Sequence, residues 1–329
     1  MKFTQQENQF LQIDGESPIE IHPIQKEAST RNYFRLQYKS FQTILCIDQN
    51  FNDEAYSFLQ VQKFLKHSGI LVPEIIKSDA TLNFIMQEDS GQKDLTSVFD
   101  EEQYIREVKK SIDTIHKLQS LEPIPLIKNK SFDKEKNLFE LNHTVNGFKE
   151  FAKFYKISIS INHELFTFME EASEFLANYE PKVICHRDLH GRNILLNKNS
   201  RQVLIDFQDM MMGSVFYDLS SIVYDAYRPI GSTDREALYQ YFISKLNSKI
   251  PRMREYYLTQ CLQRSFKALG TYLVQFHKQK NPRFKESILK SLIQLLEITQ
   301  LGMFSDQCYV FFIMFKKELE QNELFHLAK

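Results

Sequence analysis

The chain has 329 residues, 43% of them hydrophobic and 25% charged, an ordinary composition for a globular protein with about two domains or lobes. Its formal net charge of −1 offers no basic excess to nucleic acid or to a membrane surface, so we expect neither partner. The opening segment lacks the apolar core of a signal peptide, and the longest apolar run, at 308–315, is too short to cross a bilayer. We therefore expect a cytoplasmic protein with reduced cysteines that lack the spacing of a zinc site, namely Cys46, Cys185, Cys261 and Cys308.

Residues 1–90 have the pattern of a small antiparallel sheet with one helix. Asp53 and Gly69 mark the two ends of the predicted helix, in the usual order of start and stop signals. Alternating apolar residues predict strands at 19–25, 32–39, 41–47, 73–79 and 81–89, with the polar turn KEASTR (26–31) between the first two.

Beyond Gly91 the apolar pattern changes to the helical period of three and four residues, first within 101–121. We therefore predict an α+β protein of two lobes, a small antiparallel β-rich lobe at 1–90 and a larger, mostly helical lobe at 91–329. The larger lobe should contain helices at 135–154 and 162–178, strand, loop and strand at 183–209, and helices from 216 onward with interruptions at 228–233 and 278–283.

Polar groups with a possible chemical purpose concentrate in the strand-loop-strand region. Asp188 lies in HRDLHGRN (186–193), Asn193 ends that motif, and Asp206 ends the apolar strand VLID. Phosphoryl transfer needs a carboxylate that orients the attacking hydroxyl and receives its proton, and hard oxygen ligands that hold Mg2+. The triplet HRD alone is weak, because polar triplets are common on surfaces. The order H-R-D-L-x-x-x-N between apolar stretches and ahead of VLIDF is the one that kinases use, and it predicts a kinase-like catalytic loop.

Three stretches extend this likeness to a particular family. They are EASTRNYFRL (27–36), IDFQDMMMGSVFYDLSSIVYDAY (205–227) and RSFKALGTY (264–272), of which the second is the most specific. In it, Gln208 and Asp209 stand where the D-F-G of protein kinases ends in glycine. Over nearly its whole length the chain resembles the aminoglycoside phosphotransferase/choline kinase family. Within that family it is most similar to the bacterial anomeric N-acetylmuramate/N-acetylglucosamine 1-kinases of cell-wall recycling.

The resemblance implies a bilobal protein-kinase-like fold, with ATP covered by the first lobe and Mg2+ as cofactor. It implies that Asp188 is the catalytic base, and that Asn193 and Asp206 are the magnesium ligands. His186 and Asp218 would support the catalytic loop through hydrogen bonds.

The nucleotide side of the predicted site is less specific. The turn that would cover the phosphates has no glycine, although Ser29 and Thr30 could donate backbone and hydroxyl hydrogen bonds. Without the resemblance, this turn would equally suit an ordinary hairpin. The linker that would bind adenine through its backbone contains Gln87, Glu88 and Asp89.

One departure from the kinase pattern concerns the phosphate-binding lysine of the third strand. The stretch FQTILCIDQN (41–50) contains no lysine, and Cys46 or Asp48 occupies the corresponding region. The branch that the chain resembles also lacks this lysine, so its absence does not predict inactivity. Lys26, Arg31 and Arg35, near the first hairpin, are candidates for the missing positive charge.

The resemblance implies that the acceptor is an amino sugar, N-acetylmuramate and/or N-acetylglucosamine, which is phosphorylated on its anomeric hydroxyl. We expect its pocket within 140–180 and 210–280. The product, a sugar 1-phosphate, suggests a functional link to a sugar-phosphate nucleotidyltransferase. Candidate acceptor contacts, each of which could instead serve packing, a surface charge or an ion pair, are Arg192, Asp209, Asp225 and Arg264.

Two alternatives stay open at the level of sequence. The catalytic loop concerns phosphate and metal, so a kinase for an aminoglycoside, choline or another sugar fits it as well. The missing lysine and the glycine-free turn also suit a nucleotide-binding pseudokinase, although a scaffold has no need for the complete set Asp188, Asn193 and Asp206.

Overall fold

Two compact units make up the fold of this computed structural model. The first consists of Met1–Asp94 with Ile194–Gln208, and the second of Leu95–Asn193 with Asp209–Lys329. The boundary predicted after residue 90 stays a prediction, and the structure adds to the first unit a hairpin that is distant in sequence. The part of the chain that the structure describes covers 3–24, 31–51, 56–246, 251–302 and 304–327.

The elements follow the predicted order, with a small β-rich part ahead of a mostly helical part. The strands are β1 (Glu20–Ile24), β2 (Asn32–Gln37), β3 (Gln42–Ile47), β4 (Ile75–Asp79), β5 (Phe84–Glu88), β6 (Val183–Cys185), β7 (Ile194–Leu196), β8 (Gln202–Leu204) and β9 (Met211–Gly213). The helices are α1 (Gln5–Leu11), α2 (Ser57–His67), α3 (Glu101–Gln119), α4 (Pro125–Lys128), α5 (Lys134–Tyr155), α6 (His163–Ala177), α7 (Tyr217–Val223), α8 (Ser232–Ser244), α9 (Met253–Gln279), α10 (Pro282–Leu301), α11 (Asp306–Gln321) and α12 (Glu323–Leu327).

The first unit is built on the antiparallel sheet that the sequence predicts, with strand order β1-β2-β3-β5-β4. Successive side chains of a strand point to opposite faces, so every second residue shares a face. Leu36, Leu45 and Phe84 lie on one face and pack with Leu11 of α1 into a buried apolar cluster. That cluster leaves the other face of the sheet available for polar groups.

Helix α1 was missed by the sequence analysis, although a capping box marks its start. The Thr4 hydroxyl accepts a hydrogen bond from the Glu7 N–H at 3.2 Å, and the Glu7 carboxylate accepts one from the Thr4 N–H at 2.7 Å. Such a reciprocal pair satisfies N–H groups that have no partner within the helix, and therefore specifies where the helix begins. The predicted start of α2 falls on 53–55, outside the described residues.

A short hairpin, β7 and β8, joins the first unit from far along the chain. The Leu196 N–H donates to the Lys93 carbonyl at 2.8 Å, and the Leu204 N–H donates to the Leu71 carbonyl at 2.9 Å. These backbone bonds fix the hairpin and, with it, the segment that follows β8.

The second unit is organised around the long helix α9, which packs against α5, α7 and α10. Strands β6 and β9 pair within this unit and frame the catalytic-loop region. The two predicted interruptions are confirmed, because α7 and α8 are separate helices, as are α9 and α10. Among the helices in the described ranges, we find none with the length and apolar character to span a membrane.

Candidate active site

The predicted catalytic loop begins where strand β6 ends, and a buried carboxylate holds its first turn. Asp218, in the first turn of α7, accepts a hydrogen bond from the His186 N–H at 2.7 Å and one from the Arg187 N–H at 3.1 Å. Complete burial raises the pKa of the Asp218 carboxyl, against the opposing effects of His186 and of these N–H donors. Arg187 has a φ of 78°, in the left-handed region that non-glycine residues rarely adopt. The two hydrogen bonds to Asp218 stabilise that turn.

The Arg187 side chain fixes the loop to the rest of the second unit. Its guanidinium donates to the Asp209 carbonyl at 3.3 Å and to the Glu140 carboxylate at 3.4 Å. The Asp209 carbonyl thus binds the loop through Arg187, while the Asp209 side chain is exposed. Acceptor binding by the Asp209 side chain stays a prediction.

Asp188, the predicted base, lies against two cations of α9. Its Oδ1 atom is 3.3 Å from the Arg264 guanidinium and 3.6 Å from the Lys267 ammonium, and 41% of its side chain is exposed. Partial burial disfavours its charge, but Lys267, Arg264 and neighbouring positive groups outweigh that effect and hold the pKa of Asp188 well below its usual value. The carboxylate is therefore ionised throughout the neutral range.

Arg264 was a candidate for acceptor binding, and the structure gives it two partners within the protein. Besides Asp188, it donates from Nε to the Ser221 hydroxyl at 2.8 Å, and only 7% of the residue is exposed. These contacts are those of an ion pair within the protein, the alternative to acceptor binding considered above. Acceptor binding by Arg264 stays a prediction. Lys267 was not singled out from the sequence, although it lies one helical turn beyond Arg264 within the quoted stretch RSFKALGTY.

Asn193 is oriented by the same loop. Its side-chain amide donates to the Asp188 carbonyl at 2.9 Å, which leaves the amide oxygen to act as an acceptor or ligand. The His190 ring lies 3.4 Å from that amide nitrogen. Burial lowers the pKa of His190 to about 4, although Asp188 opposes the shift, so the imidazole is neutral at pH 7.

Asp225 holds the far end of the loop. It accepts hydrogen bonds from the Gly191 N–H and from the Tyr227 N–H, both at 2.8 Å. The residue is 3% exposed, so the alternative of a helix surface charge was wrong, and burial raises the pKa of its carboxyl to about 6. Arg192 lies over the Tyr227 ring, 4.5 Å from its centroid. Direct contact of Asp225 or Arg192 with an acceptor stays a prediction.

The second predicted metal ligand, Asp206, lies in the first unit. Asp206 follows β8 with a φ of 62°, and its Oδ1 atom accepts a hydrogen bond from the Gln208 amide at 2.8 Å. The remaining carboxylate oxygen of Asp206 and the amide oxygen of Asn193 are hard ligands of the kind that Mg2+ prefers. No group of three or more His, Cys, Asp or Glu residues suited to a metal occurs within the described residues.

The predicted adenine-binding linker lies at the end of β5. Gln87 is buried, Glu88 is exposed, and Asp89 accepts hydrogen bonds from the Gly91 N–H at 3.0 Å and from Arg35 Nε at 2.5 Å. The Asp89 carboxylate therefore has its partners within the protein, and adenine binding by the backbone of this linker stays a prediction. The predicted phosphate contacts Ser29 and Thr30, and the candidate cation Lys26, lie outside the described residues.

A narrow crevice in the second unit adjoins Asp188, within the ranges predicted for the acceptor pocket. Glu140 lies in its wall and accepts hydrogen bonds from Arg187 and from Gln263, both at 3.4 Å. Glu140 and Lys267 carried no signal in the sequence, because their charges would equally suit exposed helix surfaces. The crevice is lined by Glu140, Leu141, Thr144, Met169, Ala172, Ser173, Gln263, Phe266 and Lys267.

Comparison with curated proteins finds three relatives with one shared description. The chain is 26% identical over 211 residues to the N-acetylmuramate/N-acetylglucosamine kinase of Neisseria meningitidis serogroup B, covering 61% of this chain and 60% of the relative. The corresponding kinase of Pseudomonas aeruginosa is 24% identical over 213 residues, covering 64% and 61%. That of Pseudomonas putida is 23% identical over 298 residues, covering 86% and 85%. The chain thus spans less than two thirds of the length of the first two relatives.

Solved structures share the fold at low sequence identity. An AMP-bound spectinomycin phosphotransferase has a TM-score of 0.60 and 16% identity, covering 87% of this chain and 97% of that one. A choline/ethanolamine kinase family protein from Mesorhizobium loti has a TM-score of 0.56 and 13% identity, covering 91% and 92%. These likenesses confirm the predicted kinase-like fold, with an N-terminal five-stranded antiparallel sheet and a largely helical remainder.

Comparison with models of protein families identifies the family of the chain. The model described as APH, the phosphotransferase enzyme family, matches residues 20–256. That match covers well over half of the chain and includes Asp188, Asn193 and Asp206. The protein therefore belongs to the APH phosphotransferase enzyme family.

Proposed function

We propose that this small-molecule phosphotransferase is an ATP-dependent amino-sugar 1-kinase. It would transfer the γ-phosphoryl group of ATP to the anomeric hydroxyl of N-acetylmuramate and/or N-acetylglucosamine. The observation that carries the proposal is the catalytic loop, in which Asp188 and Asn193 are held by hydrogen bonds and by the cations of α9. The three curated relatives support the choice of an amino sugar.

In this mechanism Asp188 acts as the base. Its carboxylate accepts a hydrogen bond from the acceptor hydroxyl and directs the hydroxyl oxygen towards the γ-phosphorus. A bond forms between these two atoms as the bond from the γ-phosphorus to the β–γ bridging oxygen breaks, and ADP leaves with that electron pair. The hydroxyl proton passes to Asp188. A carboxylate of low pKa suits this task, because a loose transition state requires little charge on the nucleophile before transfer.

Asn193 and Asp206 would hold Mg2+ through the amide oxygen and one carboxylate oxygen. A bound Mg2+ would offset the charge that develops on the phosphate oxygens during transfer. The hydrogen bonds from Asn193 to Asp188 and from Gln208 to Asp206 keep both ligands oriented before substrate arrives.

The charges around Asp188 favour a neutral or anionic acceptor. Arg264 and Lys267 would repel a polyamine such as an aminoglycoside or a quaternary ammonium such as choline. The Lys267 side chain is 21% exposed, and its ammonium could bind the lactyl carboxylate of N-acetylmuramate. The product would be a sugar 1-phosphate, the substrate class of a sugar-phosphate nucleotidyltransferase.

The proposal is tested by measuring ADP release with ATP and Mg2+ and a panel of acceptors. The panel contains N-acetylmuramate, N-acetylglucosamine, glucose, choline and kanamycin. We expect turnover with the N-acetylated amino sugars, and we expect none above background with choline or kanamycin. Turnover confined to choline or kanamycin would refute the acceptor proposal.

Asp188→Asn is the test of the base. Since positioned general bases contribute about 10²- to 10⁴-fold, turnover should fall by that factor while ATP still binds. Asp306→Asn, at the exposed start of α11, makes the same chemical change away from the loop and should leave turnover at the wild-type level. Equal turnover in the Asp188→Asn variant and the wild type would refute the mechanism.

A further inference from the structure

The face of the first unit's sheet opposite the apolar cluster carries charged and polar side chains. Alternation along β2 puts Tyr33 and Arg35 on that face, and the strand register places Cys46 beside Tyr33 and Ile44 beside Arg35. Gln87 of β5, opposite Ile44, shares the face. This face is therefore distinct from the buried side that packs against α1.

Two buried arginine–aspartate pairs lie at opposite ends of this face. Arg35 donates to Asp89 at the linker end, with Nε at 2.5 Å and Nη2 at 3.3 Å. Arg31 donates from Nε to Asp48 at 2.7 Å, and the two side chains are 14% and 3% exposed. The two arginines are four positions apart along extended chain, a separation of about 13 Å.

Three side chains form hydrogen bonds with the Arg31 guanidinium, namely those of Asp48, Tyr56 and Tyr33. Asp48 directly follows β3, and its carboxylate also accepts hydrogen bonds from the Tyr56 hydroxyl and from the Asn50 N–H. Tyr56 itself accepts from Arg31 Nε at 3.1 Å, and Tyr33 forms a further side-chain hydrogen bond with Arg31. A guanidinium with so many partners keeps one orientation, and its planar fork of N–H donors has the geometry that phosphate oxygens accept.

Two aromatic rings connect Arg31 to the segment that carries Asp206. The Arg31 guanidinium lies over the Phe58 ring, 5.7 Å from its centroid. Phe58 stacks on Phe207, the neighbour of Asp206, with the ring centroids 5.0 Å apart. Burial and the Cys46 thiol raise the pKa of Tyr33, and the Asp206 charge adds to that rise, so Asp206 is within electrostatic reach of this face.

We propose that Arg31 binds the non-transferred phosphates of ATP, in place of the lysine that β3 lacks, and that Asp48 and Tyr56 position it. Kinases pair their strand lysine with a glutamate, and Arg31 with Asp48 reproduces that cation–carboxylate arrangement from other positions. Arg35 is less suited, because its pairing with Asp89 through Nε and Nη2 places it at the linker end of the face, away from the segment that carries Asp206. This inference rests on the proposed function only in taking ATP as the phosphoryl donor.

The test compares binding of ATP·Mg2+ and of adenosine by calorimetry, without any acceptor. Since Arg31→Met alone leaves Asp48 buried without its cation, the double variant Arg31→Met/Asp48→Asn is measured beside it. Removal of hydrogen bonds to a charged ligand predicts an affinity for ATP·Mg2+ roughly 10- to 100-fold lower, with adenosine affinity unchanged. Arg31→Lys keeps the charge but not the fork of donors, so its affinity for ATP·Mg2+ should lie between that of the double variant and that of the wild type.

Arg235→Met/Glu297→Gln is the matched control, since it removes another arginine–carboxylate pair, with the arginine side chain 6% exposed, from the helical unit. It should leave the ratio of ATP to adenosine affinity at the wild-type value. Wild-type ATP affinity in a folded Arg31 double variant, or an equal loss of ATP and adenosine binding, would overturn the inference. Failure of the proposed function would show differently, as a wild-type protein that binds ATP but phosphorylates no amino sugar.

Discussion

At the scale of single residues, the environment of Asp188 distinguishes this site. A carboxylate that must receive a proton is placed beside Arg264 and Lys267 on one helix. These cations keep it ionised and fix its direction. Arg264 is nearly buried and bonded within the protein, whereas Lys267 also faces the crevice, so the two have different consequences for an acceptor.

Replacement of Lys267 by methionine should therefore distinguish the two amino sugars. Loss of the ammonium removes a partner for the lactyl carboxylate, and KM for N-acetylmuramate should rise by about tenfold or more. N-acetylglucosamine has no carboxylate, and its KM should change much less. Lys267→Arg, which keeps the charge, serves as the control, and steady-state kinetics with both sugars is the measurement. An equal rise in both KM values would contradict this role.

At the scale of elements, one buried helix supports both ends of the catalytic loop. Asp218 in the first turn of α7 holds the start of the loop, and Asp225, just beyond its last turn, holds Gly191. All residues of Tyr217–Val223 are buried, so the packed core fixes the helix and both carboxylates with it. Loop geometry thereby depends on the packing of α7.

A methyl group at Gly191 should disturb this arrangement. An added Cβ would lie 2.7 Å from the Thr96 methyl carbon and 3.2 Å from the Asp225 carboxylate, so the loop would have to move. We expect Gly191→Ala to cost about 1–3 kcal/mol in stability and, since small misplacements are costly in catalysis, up to ~100-fold in turnover.

Gly231→Ala provides the comparison, because the nearest atom to its added Cβ, in Asp234, is 3.9 Å away. The free energy of unfolding of that variant, at the start of α8, should be within ~1 kcal/mol of the wild-type value, and its turnover should be unchanged. Thermal unfolding measures the stability of both variants, and ADP release measures their turnover. A Gly191→Ala protein that matches Gly231→Ala in both would show that the loop tolerates displacement.

The sequence predicted what depends on local pattern. The strands of the first unit follow from alternation, and Asp188, Asn193 and Asp206 stand out through short-range spacing. Glu140 and Lys267 were missed because only the packing of α5 and α9 brings them to the loop. The burial of Asp225 was missed for a similar reason, since a carboxylate just beyond a short helix gives no sign of what covers it.

At the scale of the whole molecule, buried carboxylates link stability to pH. Burial raises the pKa of Asp225 from 3.8 to about 6, against the hydrogen bonds from Tyr227 and Gly191. The folded state therefore prefers the protonated carboxyl. The stability that this group contributes is complete below its unfolded pKa and is lost as pH rises through about 6, a change of about 3 kcal/mol at 1.36 kcal/mol per pKa unit.

Asp225→Asn stays neutral and should lack this dependence. The free energy of unfolding of the wild type minus that of the variant should fall by up to about 3 kcal/mol between about pH 4 and about pH 7. Other titrating groups are common to both proteins and cancel in the difference. Urea unfolding across this range provides the measurement, and a difference that does not vary with pH would show that Asp225 stays charged in the fold.

Phosphoryl transfer to an anomeric oxygen can be observed in the product itself by 31P NMR. With ATP, Mg2+ and N-acetylmuramate or N-acetylglucosamine, we predict a phosphate resonance coupled to the anomeric proton, absent with Asp188→Asn. A phosphate on any other hydroxyl would contradict the 1-kinase assignment, and an unchanged product yield from Asp188→Asn would contradict the role of Asp188.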